Sequence, residues 1–197
     1  MGNVQLFELI NAPASAGALP LAVATGAARW LIWALPPAIV LAWLRADDAG
    51  RREWLQMLLA VLIALGIGQV VGFAWPQPRP AALHLGHQFL RHSADPGLPS
   101  DHVTVFWSLA LASLSRRRHG VLCFLLLALG GLVGWSRVYL GIHFPYDVAA
   151  ALPVSAAGGA LAMALRRPLA PVWDAVLQGY DRLVRAAGGA RPPPPGP

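Results

Sequence analysis

Residues 121–138 read VLCFLLLALGGLVGWSRV, a run with no charge before Arg137 and no proline. A helix needs about 20 predominantly apolar residues to cross the hydrocarbon core, and this stretch approaches that length. Residues 19–44, 54–73, 102–114 and 148–165 share its character, which gives five predicted spans. In the first, Arg29 interrupts the apolar run and Pro36-Pro37 predict a kink. The third is short by itself and gains a first turn from residues 99–101. Residues 4–10 predict a short interfacial helix; a sixth span built from residues 4–28 would move the N-terminus inward.

Composition agrees with lipid as the solvent. Of 197 residues, 56% are hydrophobic and 12% charged, against roughly 25% charged in a typical soluble domain. The expected fold is therefore an all-α integral membrane protein, one bundle of five or six transmembrane helices. All 15 basic residues are arginine. They fall in short clusters between apolar runs, the pattern that orients a membrane protein, so the net charge of +6 predicts membrane lipids as partners and no nucleic acid. Cys123 is the only cysteine, which excludes an intrachain disulfide and a multi-cysteine zinc site. In its apolar run it reads as a small packed side chain. The N-terminus lacks a basic leader, so the first span is expected to serve as its own insertion signal.

The connections alternate. Arg45, Arg51 and Arg52 follow the first span, Arg116, Arg117 and Arg118 follow the third, and Arg166-Arg167 follow the last. Arginine-rich short loops stay on the cytoplasmic side, so residues 74–101 and 139–147 are expected to face outward. Past Arg167, Trp173, Val176, Leu177, Tyr180, Leu183 and Val184 recur at helical spacing with Arg182 and Arg185 on the polar side. This predicts a helix lying on the inner leaflet. Residues 191–197 form a proline-rich tail, expected to be disordered. The chain thus divides into a transmembrane domain, 1–170, and an interfacial helix with its tail, 171–197.

Nearly all reactive side chains collect in the two outward connections and the span ends beside them. They are Arg79-Pro80, His84, His87, Arg91, His92, Asp95, Pro99-Ser100-Asp101-His102, Ser136-Arg137, His143 and Asp147. A polar cluster at one end of an apolar bundle is where a membrane enzyme would keep its site. His143 and Asp147 are four apart and would share a face at a helix start. A carboxylate on Nδ1 fixes the imidazole tautomer and leaves Nε2 as a nucleophile. Pro145 fits the first turn of such a helix. The Pro99–His102 tetrapeptide reads as a loop entering a helix, whose N–H groups can hold phosphate oxygens. Ser100 would add a donor, and His102 can protonate a leaving oxygen. Arg79 and Arg137 offer planar guanidinium groups that match a phosphoryl group. Taken singly, the His143/Asp147 pair reads first as helix capping, the Pro99–His102 stretch is explained at least as well by a cap, and snorkelling is the default reading of each arginine.

Together, Arg79-Pro80, Pro99-Ser100-Asp101-His102 and Ser136-Arg137-x5-His143-x3-Asp147 resemble the three-part signature of the type 2 phosphatidic acid phosphatase superfamily. The third part matches in residue type and spacing. The Pro-Ser-Asp-His variant and its surroundings look most like the bacterial undecaprenyl-diphosphate phosphatases. Two departures stand out: Gly72 occupies the position where the family carries a lysine, and Asp101 replaces a glycine. The role of that lysine is either absent here or taken by another group, for which Arg91 and Arg29 are the candidates.

The resemblance implies hydrolysis of the terminal phosphate of a polyprenyl diphosphate carrier, undecaprenyl diphosphate, at the outer face of a bacterial inner membrane. In that scheme His143 is the nucleophile, Asp147 its orienter and His102 the proton carrier. Arg79, Ser100, Arg137 and the backbone at Asp101 and His102 hold the phosphoryl oxygens, with no catalytic metal and no cofactor. A phosphatidate-type lipid phosphatase is one alternative; a non-catalytic lipid-phosphate transporter is another. His84, His87 and His92 have only Asp95 as a nearby acid and are read as loop polarity rather than a metal site. Arg29 is read as snorkelling or pairing within the bundle. Trp54, Trp75 and Trp135 sit where an interfacial belt would place them.

Overall fold

The structure, a computed structural model, describes residues 2–91, 95–114 and 120–188. The described chain forms seven α-helices: α1 (Asn3–Ile10), α2 (Ala18–Arg45), α3 (Asp48–Ala74), α4 (Asp101–Ser113), α5 (Gly120–Tyr139), α6 (Pro145–Leu165) and α7 (Ala170–Ala186). Helices α2, α3, α5 and α6 are each long and apolar enough to cross a membrane. The protein is a multi-pass membrane protein, and its outer wall carries large apolar side chains such as Phe73, Phe124, Leu62 and Val121 facing outward.

The predicted spans correspond to α2 through α6, with differences that have physical reasons. Residues 4–28 do not form one further span. They divide at Asn11 into the eight-residue α1 and the start of α2. Pro36 and Pro37 lie inside α2, and the helix runs on through both to Arg45. The third span begins at Asp101, not at Pro99, because Ser100 is extended and serves as the N-cap. The predicted helix after Arg167 is α7. The Arg116–Arg118 cluster, His92 and the tail 191–197 lie outside the described residues.

At 13 residues and 1.5 Å per residue, α4 is about 20 Å long, too short to cross alone. It can be short because it is the central helix, packed against α3, α5 and α6. Its Val103, Phe106, Leu109 and Ala110 fill the core with Met57, Val61, Cys123, Leu126, Val133 and Ala151. Two of its polar side chains are satisfied by the helix's own backbone: Thr104 Oγ1 donates to Ser100 O at 3.0 Å and Ser113 Oγ to Ala110 O at 2.6 Å. Between membrane helices there is little hydrophobic gain, so association relies on close packing through small residues. A Cβ at Gly158 of α6 would stand 2.7 Å from Ala60 O of α3. At Gly130 of α5 it would meet the Trp107 ring of α4 at 2.6 Å.

The short α4 recesses one end of the bundle. Pro99 packs against Gly68 of α3, 3.2 Å from a Cβ placed there, whereas α3 continues six residues further to Ala74. The start of α4 therefore lies about 9 Å below the end of α3. At the opposite end Trp43 meets Tyr180 of α7 edge-to-face, Arg51 lies over the Tyr180 ring, and Arg52 pairs with Asp174. The α2–α3 connection, Arg166 and α7 thus gather at one end. The reactive residues gather at the other.

Candidate active site

His143 ends the short turn that follows α5. The Ile142 and His143 N–H groups both donate to Arg137 O, at 2.9 and 3.3 Å, so Arg137 and His143 are tied through their backbones. The turn passes through Gly141 at φ +77°, a left-handed conformation with His87 O packed where a side chain would be. Glycine alone suits both demands. Phe144 is the N-cap of α6 and Pro145 its first residue, where a missing N–H costs nothing. Asp147 then points back along the first turn: its Oδ2 accepts the Phe144 N–H at 2.8 Å and lies 3.3 Å from His143 Nδ1. Both side chains are buried.

Arg79 reaches the same point from a stiff strap. Pro76, Pro78 and Pro80 alternate with Gln77 and Arg79, and a residue before proline is held extended. Arg79 shows this, at φ −72° and ψ 159°. Its guanidinium is buried, and Nη1 lies 3.0 Å from His143 Nε2 while donating to Ile142 O at 3.3 Å. Its other edge is held by the segment before α4: Nε donates to Asp95 O at 3.0 Å, and Nη2 to Asp95 Oδ2 and Pro96 O, each at 3.3 Å.

These groups face one cavity of about 330 Å³. Arg79, Asp95, Asp101, His102, Arg137 and His143 provide its polar wall; Gly68, Gln69, Gly72 and Phe73 of α3 close another side. Of the seven residues singled out from the sequence, five line the cavity. Asp147 stands behind His143, and Ser100 is fully buried without lining it. The Ser100 backbone N–H donates to Asp147 O at 3.0 Å, while its Oγ is buried with no hydrogen-bond partner among the described residues. Arg137 is buried, with Nη1 donating to Ala28 O of α2 at 3.4 Å.

Neither candidate for the role of the family lysine reaches the cavity. Arg29 is exposed on α2 over the Trp30 ring, and Arg91 is exposed; neither lines the cavity. Gly72 does line it, but a Cβ there would already approach Leu98 O to 3.2 Å. The polar side chain that α3 contributes is Gln69, one turn earlier. A lone polar residue among apolar ones, flanked by Gly68 and Gly72, was the signal available in the sequence. His84 caps a 3-10 turn (Pro80–Leu83) at φ 55°, and His87 pairs its backbone with Asn11. Asp95 was not among the expected site residues; nothing in its spacing from Arg79 marks the contact.

Residues 53–170 match the PAP2 superfamily. The chain is 36% identical over 148 residues to an Escherichia coli K12 protein provisionally named undecaprenyl-diphosphatase YbjG, covering 74% of this chain and 73% of that one. It is 26% identical over 182 residues to the undecaprenyl-diphosphatase BcrC of Bacillus subtilis 168, covering 92% and 93%. Among solved structures, Aquifex aeolicus LpxE shares the fold at a TM-score of 0.69 and 23% identity, over 82% of this chain and 94% of that one. With its signature residues converging in one recess of a helical membrane bundle, the chain belongs to the PAP2 superfamily and is a membrane-bound phosphatase.

Proposed function

We propose that this protein hydrolyses the terminal phosphate of a polyprenyl diphosphate lipid, in the manner its relatives' names describe, through a phosphohistidine on His143. The observation that carries the reading is the line Asp147 Oδ2–His143–Arg79. An acceptor sits at Nδ1 of the imidazole and a guanidinium N–H at Nε2, in a cavity that also holds Arg137 and His102.

Asp147 accepts the Nδ1 proton, which places the lone pair on Nε2. Nε2 attacks the terminal phosphorus as the bond to the bridging oxygen breaks, and Asp147 balances the cationic ring that results. Arg79 Nη1 lies beside the attacking nitrogen, so a phosphoryl group in contact with Nε2 is also within its reach. Arg79 and Arg137 take the charge on the equatorial oxygens. His102 gives a proton to the bridging oxygen, releasing the lipid monophosphate. It then takes a proton from the water that attacks the phosphohistidine, which restores His143 and frees phosphate. The first N–H groups of α4 act as further donors to the phosphoryl oxygens. The arginine clusters at the far end of the bundle support a site on the outer face of the cytoplasmic membrane.

The test is phosphate release from a polyprenyl diphosphate by purified protein in detergent and EDTA. Wild type should turn over, and His143→Ala should retain no more than background. Brief incubation with terminally radiolabelled substrate should leave acid-labile, base-stable label on wild type. Full activity of His143→Ala would refute the mechanism, and a strong preference for phosphatidate would refute the substrate.

A further inference from the structure

We infer that Asp95 is a positioning residue for Arg79, and that the loop carrying it aims the guanidinium at the phosphoryl group. The inference rests on the proposed role of Arg79 as a phosphoryl clamp.

A guanidinium is planar and rigid, so fixing one edge fixes where the remaining N–H groups point. In Arg79 the Nε/Nη2 edge is held by Asp95 O, Asp95 Oδ2 and Pro96 O at 3.0, 3.3 and 3.3 Å. All three acceptors belong to two adjacent residues. The third nitrogen, Nη1, is thereby directed to His143 Nε2 at 3.0 Å. The same loop is locked on both sides. Gly97 N donates to Gln77 O at 2.9 Å, on the strap that carries Arg79. A Cβ at Gly97 would lie 2.9 Å from Asp147 Oδ2 and 3.4 Å from Arg79 Cγ. Only a glycine lets the chain pass between the clamp and the carboxylate that orients the nucleophile.

Within this loop the Asp95 carboxylate is the charged anchor. Its side chain is 53% exposed on the cavity wall, whereas that of Arg79 is 9% exposed. A half-exposed ion pair adds little to folding stability, so the loss of this one should register in catalysis and not in the fold. Small misplacements of a group that holds the reacting centre are costly to rate.

The experiment is a double-mutant cycle on the full-length protein in detergent: wild type, Asp95→Asn, Asp95→Ala, Arg79→Ala and the Asp95→Ala/Arg79→Ala pair. The substrate is whichever of polyprenyl diphosphate and phosphatidate wild type turns over faster. A failure of the polyprenyl reading thus appears in the choice of substrate, and a failure of the Asp95 assignment appears in the variants. Asp95→Ala is expected to lower kcat about 10- to 100-fold, with KM within about threefold and an unchanged melting temperature. Asp95→Asn should lose less. In the Arg79→Ala background, removing Asp95 should cost under about threefold, because the group it positions is gone. Added guanidinium should partly restore Arg79→Ala and not the double variant. Wild-type kcat in Asp95→Ala, a lowered KM with unchanged kcat, or the full loss repeated on top of Arg79→Ala would each overturn the assignment. If Asp95→Ala does not fold, the same criteria apply to Asp95→Asn.

Discussion

Asp147 uses one oxygen for two purposes. Oδ2 faces His143 Nδ1 and also accepts the Phe144 N–H that begins α6, so imidazole orientation and helix capping share a single atom. Asp147→Asn can keep the cap through its amide oxygen while losing the charge that balances the phosphohistidine. It is expected to melt near wild type and to lose up to about 10⁴-fold in kcat, the loss that accompanies a carboxylate-to-amide change at a comparable His–Asp pair. Asp147→Ala should lose activity similarly and melt lower, since removing a cap costs about 1 kcal/mol. Steady-state phosphate release and thermal melts separate the two effects; wild-type turnover by Asp147→Asn would remove the orienting role. Ser100 offers the opposite trade. Its Oγ is buried without a partner among the described residues, a burden to the fold that alanine would relieve. Ser100→Ala should therefore match or exceed the wild-type melting temperature. If the hydroxyl serves the phosphoryl group, kcat should fall at least about 10-fold. A variant both stable and fully active would assign Ser100 to packing alone.

Among the helices, α1 contributes more than the surface anchoring its amphipathic pattern suggests. Phe7 is fully buried, with its ring 5.3 Å from that of Phe144 in an edge-to-face pair. Asn3 Oδ1 accepts the Tyr146 N–H, and Asn11 Nδ2 donates to Tyr139 O and His87 O. These contacts bracket the turn that holds His143 from both ends. Phe7→Ala should destabilise the fold by about 3–5 kcal/mol, the usual cost for a buried phenylalanine, and lower kcat at temperatures where the protein remains folded. Loss of stability with unaltered turnover of the folded fraction would show that α1 does not support the turn. The same contacts mark what was legible at this scale. Spans α2, α3, α5 and α6 were readable because length and apolarity are local properties. The His143–Asp147 pair was readable because a helix start fixes residues four apart. The central place of α4, the docking of α1 on α6 and the Arg79–Asp95 contact depend on segments far apart in sequence. Neither periodicity nor spacing records them.

For the whole molecule, the decisive asymmetry is between the two ends of the bundle. Arg45, Arg51, Arg52, Arg166 and Arg167 surround one end, with α7 laid against it through Trp43, Arg51 and Tyr180. At the other end, Arg79 and Arg137 are buried in the recess and do not act as surface charge. Lipid and translocation machinery respond to exposed arginine near span ends, which is the ground for proposing that the first end is retained inside and the recess opens outward. The proposed function makes the same demand, because a diphosphate head group is too costly to move through the hydrocarbon core unaided and would have to meet the site on the leaflet where it is left. Two single-cysteine variants in a Cys123→Ser background test this directly. Leu83 is exposed beside the Arg79 strap, and Gln178 is exposed on α7. In intact cells a membrane-impermeant maleimide should label Leu83→Cys and leave Gln178→Cys unmodified until the membrane is permeabilised. The reverse pattern would place the recess in the cytoplasm, and a carrier lipid presented on the outer leaflet could then no longer be its substrate.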